Sequence, residues 1–158
     1  LEMIREWEQT GEKLEPFVLR MDVSDFPAYL QTLQHMKTAS VGNRKTVNVS
    51  TYWIVSGAHG RKVIGAVTIR HNLNEHLRMI GGHIGVGIRP SERGKGYGTR
   101  ALALALRKAE HLGLHKVLLT CDQDHIAARK MIEGVGGIWE NEVFFNGKMV
   151  QRYWVTTP

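Results

Sequence analysis

The twelve residues from Arg89 to Arg100, RPSERGKGYGTR, constrain the fold of this chain more than any other stretch, because three glycines and four cationic side chains fall within them. Glycines this close together lose much conformational freedom on folding, so a close approach of the backbone to another group should offset that loss. An alternating strand pattern precedes the segment and a strong helix pattern follows it. A strand, a glycine-rich turn and a helix start form an anion site, because the first N–H groups of a helix lack intrahelical partners and the helix dipole adds positive potential there.

Two familiar phosphate-binding glycine motifs do not fit this segment. A P-loop requires GxxxxGK[ST], and no lysine followed by serine or threonine closes such a pattern here. The dinucleotide fingerprint GxGxxG begins with Gly94 and Gly96 but meets Thr99 where the third glycine should stand. The alternative to an anion site is a tight strand-to-helix turn without a ligand, and it stays open at this point.

Hydrophobic periodicity along the chain predicts the order helix, helix, strand, strand, strand, helix, strand, helix and hairpin. The predicted helices cover residues 1–11, 24–37 with Ser24 as N-cap, 97–113, and a stretch from Asp122 or Asp124 to 134. The predicted strands cover 51–55, 63–69, 81–90 and 115–121, and the final hairpin turns at Asn146-Gly147. The most loop-like stretch is 38–45, and SGAHGRK connects the first two strands. This order favours one α/β domain, residues 1–158, in which a mixed sheet carries helices on both sides.

The strand before the glycine segment, GGHIGVGIRP, has two different faces. The apolar side chains of Ile84, Val86 and Ile88 share the face that points to a core. The opposite face carries, in order, His83, Gly85 and Gly87. That second face is nearly bare backbone, so we expect another group to approach it closely.

The composition narrows the classes of partner. The chain has 158 residues, 42% hydrophobic and 23% charged, which is typical of a globular domain. No apolar run approaches the roughly 18 residues that a membrane span requires, and the N-terminus has no apolar signal core. The net charge of +6 favours anionic partners, either nucleic acid or a phosphorylated cofactor, and the scattered cations make nucleic acid the weaker of the two. The single Cys121 cannot form an internal disulfide, which favours the reducing cytoplasm, and the absent initiator methionine indicates that a few residues precede Leu1.

One motif in the glycine segment resembles a known family. The pattern R-x-x-G-x-G, formed by Arg93, Gly96 and Gly98 after a strand ending in IRP, resembles the pyrophosphate loop of the GCN5-related N-acetyltransferase (GNAT) family, which binds acetyl-CoA. The likeness extends over residues 63–137 and follows the element order of the family. The later stretch CDQDHIAARKMIEGVGG resembles the family's Asn-x-Ala segment with its following helix and glycine. The long pattern from GGHIG to QRYW is especially similar to a bacterial subgroup of predicted acetyltransferases.

The resemblance implies the acyl-CoA N-acyltransferase fold, with a mixed, mostly antiparallel sheet and helices on both faces. It implies transfer of an acetyl group from acetyl-CoA to a primary amine of a small molecule or protein. In the family, the strand before the loop splays from its neighbour and frees backbone groups for the pantetheine arm, an approach that Gly85 and Gly87 would suit. The residues expected to contact the cofactor are Val86, Gly87, Ile88, Arg93, Gly94, Lys95, Gly96, Tyr97, Gly98, Thr99 and His125.

The chemistry of acetyl transfer requires a base for the amine proton and a donor for the developing oxyanion. By analogy with the family, the backbone N–H near Val86 is the oxyanion donor. His83 is the first candidate for the base, because an unperturbed histidine has a pKa of about 6.5 and this one lies on the predicted ligand side. Glu75, in the loop HNLNEHL, is the second candidate for the base and could instead bind a cationic acceptor. The alternatives are a hydrogen-bonded structural histidine and a solvated loop carboxylate.

The sequence departs from the family at two positions. His125 stands where many members carry asparagine, and the following stretch ARKMIEG lacks the tyrosine that often protonates the leaving thiolate. Tyr97 and Tyr153 lie elsewhere, so the general acid is unassigned. Cys121 is interpreted as a small core residue rather than a nucleophile. The eight histidines show neither HExxH nor a Cys/His ligand spacing, so no metal site is expected.

Two further readings remain open from the sequence. The same cofactor could serve another acyl group or acceptor, or the fold could carry a non-catalytic module that senses CoA or binds nucleic acid. The absent tyrosine and the uncertain base keep the non-catalytic reading open. The sequence contains no motif that identifies the amine acceptor, and it leaves a homodimer open.

Overall fold

The computed structural model describes residues 1–38, 47–57 and 62–158. The helices are α1 (Glu2–Glu8), α2 (Phe26–His35), α3 (Glu75–Met79), α4 (Tyr97–His111) and α5 (Ile126–Gly134), and short 3-10 turns span Phe17–Arg20 and Pro90–Glu92. The strands are β1 (Val49–Ser56), β2 (Lys62–Arg70), β3 (Ile84–Ile88), β4 (Lys116–Asp122), β5 (Ile138–Phe145) and β6 (Lys148–Thr156). The predicted order is therefore confirmed, with one additional helix, α3.

The strands form two three-stranded antiparallel sheets, ordered β1-β2-β3 and β4-β6-β5. The sheets meet where β3 begins beside β4. There the His83 N–H donates to the Leu118 carbonyl at 2.7 Å, and the Leu118 N–H donates to His83 Nδ1 at 2.8 Å. Beyond this link, β3 pairs only with β2 within the described residues. The predicted mixed sheet is thus divided at the edge of β3, and the α/β class is confirmed.

Each face of the first sheet packs against its own helices. α4 begins at Tyr97 as predicted and ends at His111, just before the predicted stop at Gly113. Its buried residues are Ala101, Leu102, Ala105, Leu106 and Ala109. They form one core with side chains of β2, β3, β4 and β6 and with Ile132 of α5. The second core lies on the other face and contains Met3, Ile4, Trp7, Val18, Leu19, Tyr29, Leu33 and Ala66. The expectation of helices on both faces is therefore confirmed.

The N-cap of α2 is Asp25 rather than the predicted Ser24. The Asp25 carboxylate accepts a hydrogen bond from the Ala28 N–H at 3.0 Å. Pro27 lies in the first turn of the helix, where its fixed φ and missing N–H are tolerated. Aspartate and serine cap helices about equally well, so the position of the first turn decided between two adjacent residues.

Two further local expectations were wrong. Glu75 does not lie in a loop but opens α3, where Asn74 caps the helix by accepting the Leu77 N–H at 2.9 Å. α5 is capped by neither Asp122 nor Asp124, because His125 Nδ1 accepts the Ala128 N–H at 3.1 Å. Asp122 instead ends β4 and forms an ion pair with Lys148 at 2.8 Å.

The last hairpin has the predicted turn. Asn146 and Gly147 take φ values of 47° and 77°, which suit a two-residue hairpin connection between Phe145 and Lys148. Residues 39–46, most of the loop-like stretch, lie outside the described residues, as do 58–61 of the first strand connection. Among the helices that the described residues form, none combines the length and apolarity needed to cross a membrane.

Candidate active site

The outer edge of β3 presents backbone groups that the sheet does not use. The Arg70 N–H donates to the His83 carbonyl and the Arg89 N–H donates to the Ile64 carbonyl, both at 2.8 Å. In an antiparallel pair with this register, alternate residues face the partner strand, so the N–H groups of Ile84, Val86 and Ile88 point away from β2. Within the described residues they have no ladder partner. The splayed edge that the resemblance implied therefore exists between β3 and β4.

The glycine face of β3 is filled by the N-terminal segment of the chain. A Cβ placed on Gly87 would overlap the Glu15 carbonyl oxygen and lie 2.8 Å from Trp7. A Cβ on Gly85 would lie 3.1 Å from Pro16. The sequence analysis expected these two glycines to make room for the pantetheine arm. In the structure the N-terminal segment occupies the space beside them. Contact of the Gly87 backbone with the cofactor stays a prediction.

The glycine loop combines two left-handed glycines with the start of α4. Gly94 and Gly96 take φ values of 74° and 79°, and no atom of the described residues lies within 4 Å of a Cβ built on either. Gly96 is the N-cap of α4, and the Arg100 N–H is the one that bonds back to its carbonyl, at 3.2 Å. The N–H groups before Arg100 consequently have no partner within the helix. The start of α4 therefore carries backbone donors without helix partners next to a glycine whose side-chain position is open.

Gly98 differs from the other two loop glycines. A Cβ there would lie 2.9 Å from the Met131 sulfur of α5. Gly98 therefore lets α4 and α5 approach each other closely beside the loop. Its contact with the cofactor, like that of Tyr97 and Thr99, stays a prediction.

The two cationic side chains of the loop are paired with carboxylates. Arg93 donates to Glu12 at 2.6 Å and to the Ile88 carbonyl at 3.0 Å, and its guanidinium lies 5.0 Å from the Trp7 ring. Lys95 pairs with Glu92 at 2.8 Å. Lys95 and Lys62 together hold the pKa of Glu92 at about 2. The predicted role of Arg93 and Lys95 beside a phosphate stays a prediction.

His83 is buried at the point where the sheets meet. It is 7% exposed, and burial is the main reason that its pKa falls to about 4; the positive charges of Arg70 and Arg78 lower it further. In a neutral imidazole the nitrogen that accepts a hydrogen bond is the one with the lone pair, so Nε2 carries the hydrogen. The contacts oppose the base role and match the structural alternative, and the base role stays a prediction.

Glu75 and His125 lie at the starts of two helices. Glu75 is exposed on α3, and the neighbouring His76 contacts the Phe145 ring at 5.5 Å, which brings α3 to the β5–β6 hairpin. His125 uses Nδ1 to cap α5, so its neutral form carries the hydrogen on Nε2 and can donate it to a ligand. Both assignments stay predictions.

Other chemically notable side chains are occupied within the core. Burial raises the pKa of Cys121 to about 11, so the thiol is not a nucleophile at neutral pH. The Tyr153 hydroxyl donates to Gln151 at 3.0 Å, and burial raises its pKa as well. In the described part of the chain, no group of three or more His, Cys, Asp or Glu side chains could hold a metal ion.

The sequence analysis missed a cluster that joins α1 to the loop. Arg89 is 3% exposed and binds Glu6 and Glu2, and Glu6 also accepts the Ser91 N–H. Glu6 and Arg89 are 83 positions apart, so no local spacing pairs them. The signal that the sequence did contain was an arginine directly after a strand of core residues, where an unpaired charge is rare.

Known proteins of similar sequence and fold identify the family context of this site. Residues 4–138 match the family model described as Acetyltransferase (GNAT) domain. No curated protein matches the chain in sequence.

Many solved structures match the chain, and three of those similar in fold illustrate the likeness. A spermidine N-acetyltransferase SpeG chimera from Vibrio cholerae and hSSAT is 18% identical, with a TM-score of 0.66 over 99% of this chain and 90% of that one. The structure of yncA from Salmonella typhimurium with its cofactor acetyl-CoA is 16% identical, with a TM-score of 0.58 over 87% and 75% of the two chains. The acetyltransferase (GNAT family) from Bacillus anthracis is 16% identical, with a TM-score of 0.55 over 68% and 66%. At these identities the likeness concerns the fold alone.

Proposed function

Because the chain belongs to the GNAT family of acetyltransferases, we propose that the open edge of β3 and the glycine loop together hold the acetyl donor for attack by an amine. The chain is an acetyl-CoA-dependent N-acetyltransferase, and its substrates are acetyl-CoA and an amine acceptor. One observation carries the proposal for the site. The free N–H groups of Val86 and Ile88 lie on a strand edge that leads directly to Gly94 and Gly96, whose side-chain positions are open.

The diphosphate of the donor is held mainly by backbone N–H groups. The left-handed Gly94 and Gly96 leave room for phosphate oxygens, and the start of α4 directs its unbonded N–H groups and positive dipole end at the same space. Arg93 and Lys95 already pair with Glu12 and Glu92, so they contribute less net charge than the sequence indicates.

The pantetheine arm lies along the edge of β3. There the Ile88 N–H donates to one of its amide oxygens, in the manner of an added strand, and the Val86 N–H is left for the thioester oxygen. The Nε2–H of His125 can donate to the acetyl donor from the start of α5, because Nδ1 is used for the cap. This arrangement directs the thioester toward the closed end of the splay, where β3 and β4 meet at His83 and Leu118.

Acetyl transfer then proceeds by attack of the neutral amine nitrogen on the thioester carbonyl. The Val86 N–H donates to the oxygen that gains negative charge, and the C–S bond breaks as the tetrahedral species collapses. The amine nitrogen loses a proton, and the CoA sulfur leaves as a thiolate or is protonated. Glu75 is the better candidate for the base, because the lone pair of His83 is held by the Leu118 N–H. The general acid is unassigned.

The acceptor is a primary amine of a small molecule or of a protein. A direct test is CoA release from acetyl-CoA against a panel: spermidine, free amino acids, aminoglycoside-type amines, and peptides with a free N-terminus or lysine. Mass spectrometry of the product should show one added acetyl group on nitrogen. If no panel member or protein extract raises CoA release above the rate without acceptor, while the protein stays folded and binds CoA, the proposed amine transfer is wrong.

The same proposal takes residues 1–158 as one catalytic domain that works in the cytoplasm. The free, buried Cys121 is compatible with that location.

We also propose a homodimer, because the edge strand β5 exposes large apolar side chains: Ile138, Trp139 and Phe144. Light scattering after size exclusion should give twice the mass of the chain, and Trp139→Glu should give the monomer mass. A monomer at micromolar concentration in the unmodified protein contradicts the dimer.

A further inference from the structure

The Glu6 carboxylate of α1 binds two of the first residues of the glycine loop. The Glu6 carboxylate accepts hydrogen bonds from Arg89 Nε at 2.7 Å and from the Ser91 N–H at 2.8 Å, and it also accepts from the Arg89 Nη2. Arg89 is almost fully buried and donates in addition to Glu2 at 3.2 Å and to the Val63 carbonyl at 3.3 Å. The Glu6 side chain of α1 therefore binds both Arg89, the residue that follows β3, and the backbone that starts the turn.

A second contact joins the same two parts of the molecule. Arg93 pairs with Glu12, just after α1, and lies over the Trp7 ring of α1. Trp7 in turn packs where a side chain at Gly87 would lie. The turn between Arg89 and Arg93 is thus held at both ends by the N-terminal segment. Gly94 and Gly96, which follow it, have no such support and are open.

We propose that Glu6 is a positioning residue for acetyl-CoA. It fixes the turn at Arg89 and Ser91 so that the following N–H groups are already aimed at the diphosphate before the donor binds. This inference rests on the proposed use of the glycine loop as the diphosphate site. A preformed site binds more tightly, because the ordering of the loop is completed in the free protein.

Removal of the Glu6 charge should change CoA binding in opposite directions, depending on whether Glu6 positions the loop or acts only through its charge. Glu6 is a negative charge close to the proposed diphosphate site, so its removal should strengthen the attraction for an anion if the loop keeps its shape. If Glu6 positions the loop, its removal should weaken binding despite the more favourable charge. Glu6→Gln keeps the size of the side chain and removes the charge, and its amide cannot accept all the donors that the carboxylate accepts.

The experiment is a calorimetric titration of CoA into the unmodified protein, Glu6→Gln and the control Glu8→Gln. Glu8 is exposed on the same helix, and in the described part of the chain it contacts neither Arg89 nor Ser91. We expect CoA to bind Glu6→Gln roughly tenfold more weakly, since a hydrogen bond to a charged group contributes at least about that factor. Glu8→Gln should bind within about twofold of the unmodified protein or slightly more tightly.

Kinetics and a second variant make the result decisive. In Glu6→Gln the KM for acetyl-CoA should rise by the same factor, whereas kcat at saturating donor and the KM for the amine should stay within about twofold. If Glu6→Gln does not fold, Glu12→Gln tests the other end of the turn on an exposed pair, and it should weaken CoA binding by about threefold. Unchanged or tighter CoA binding in the folded Glu6→Gln variant, or in Glu12→Gln as its replacement, overturns the proposal.

The proposal and the proposed function fail in different ways. An unmodified protein that binds CoA but releases none with any amine contradicts the transfer reaction and leaves the titration as a test of positioning. An unmodified protein that does not bind CoA overturns both.

Discussion

Two pairs of glycines flank Arg89, and they have opposite surroundings. Gly85 and Gly87 lie in β3 with ordinary backbone angles, and the Glu15–Pro16 segment fills the space where their side chains would be. Gly94 and Gly96 follow the strand with φ values near those of a left-handed helix, and their side-chain positions are open. A glycine in a sequence indicates that something approaches the backbone. The sequence does not say whether a ligand or the chain itself approaches.

This difference indicates that one pair of glycines serves folding and the other serves binding. The closed pair, Gly85 and Gly87, allows the N-terminal segment to pack directly on β3, where Trp7 of the second core lies beside Gly87. The open pair shapes a turn whose backbone donors have no partner in the helix. Substitutions at the two pairs should therefore affect different measurements.

The largest effect should follow a substitution in the closed pair. In Gly87→Ala the new Cβ would overlap the Glu15 carbonyl oxygen, so the backbone of one segment must move. We expect the free energy of unfolding to fall by about 3 kcal/mol or more, near the upper limit for overpacking. Urea denaturation followed by circular dichroism measures the change. A loss below about 1 kcal/mol would show that the N-terminal segment does not fill the space beside Gly87.

The next effect concerns His83, which precedes Gly85 and Gly87 on the same face of the strand. Its pKa is about 4 in the folded chain against 6.5 for the free group, so below pH 6.5 the unfolded chain binds a proton that the folded chain does not. Stability should therefore fall between pH 6.5 and pH 4, by about 3 kcal/mol in total from this group. The pH dependence of urea unfolding measures this loss.

His83→Asn sharpens that test, because an asparagine oxygen can still accept the Leu118 N–H but does not titrate. The variant should lack the His83 part of the acid destabilisation and keep turnover within a few-fold, whereas His83→Ala should lose stability at neutral pH. A base role predicts something else: both variants lose about 10² to 10⁴ in rate near neutral pH and recover partly at high pH.

Several features of this comparison were predictable from the sequence. The apolar spacing of α4 and its glycine stop gave the helix bounds, because a 15-residue amphipathic pattern is long enough to be unambiguous. Asn146-Gly147 gave the hairpin turn, since few other pairs accept two positive φ values. The alternation of Ile84, Val86 and Ile88 gave the two faces of β3 and hence the core side.

Other features depend on contacts that no local pattern encodes. α3 has five residues, too few to show a period, and the caps at Asp25 and His125 were chosen among adjacent polar residues by the exact start of each helix. The occupant of Gly87 comes from the far N-terminal segment. The pairing of Glu6 with Arg89 joins the first helix to the end of the third strand. Such pairings are determined by how the whole chain packs.

The loop that contains the open pair, Gly94 and Gly96, should show its role when CoA binds and stabilises the folded chain. At a CoA concentration of 100 times its Kd, the folded chain should gain about 2.7 kcal/mol, because CoA binds the folded state alone. Desulfo-CoA should give nearly the same shift in Tm, since the diphosphate carries much of the binding. The Gly87→Ala variant, where it folds, should keep most of this shift. Absence of a shift with either ligand contradicts the anion-site reading of the loop.

The smallest and most selective effect should come from comparing the two ends of α4. Gly96 and Gly113 have φ values of 79° and 80°, and in the part of the chain that the structure describes neither has an atom within 4 Å of a built Cβ. Valine at either position is strained by about 1–3 kcal/mol, so Gly96→Val and Gly113→Val should lose similar stability. Only Gly96→Val should also weaken CoA binding, by more than about tenfold or 1.4 kcal/mol, because its side chain enters the space proposed for phosphate. Titration of CoA into both variants, with denaturation curves for each, measures the two quantities separately. Equal affinity in the two variants would mean that Gly96 serves only to start the helix, and the open pair would then differ from the closed pair in geometry but not in function.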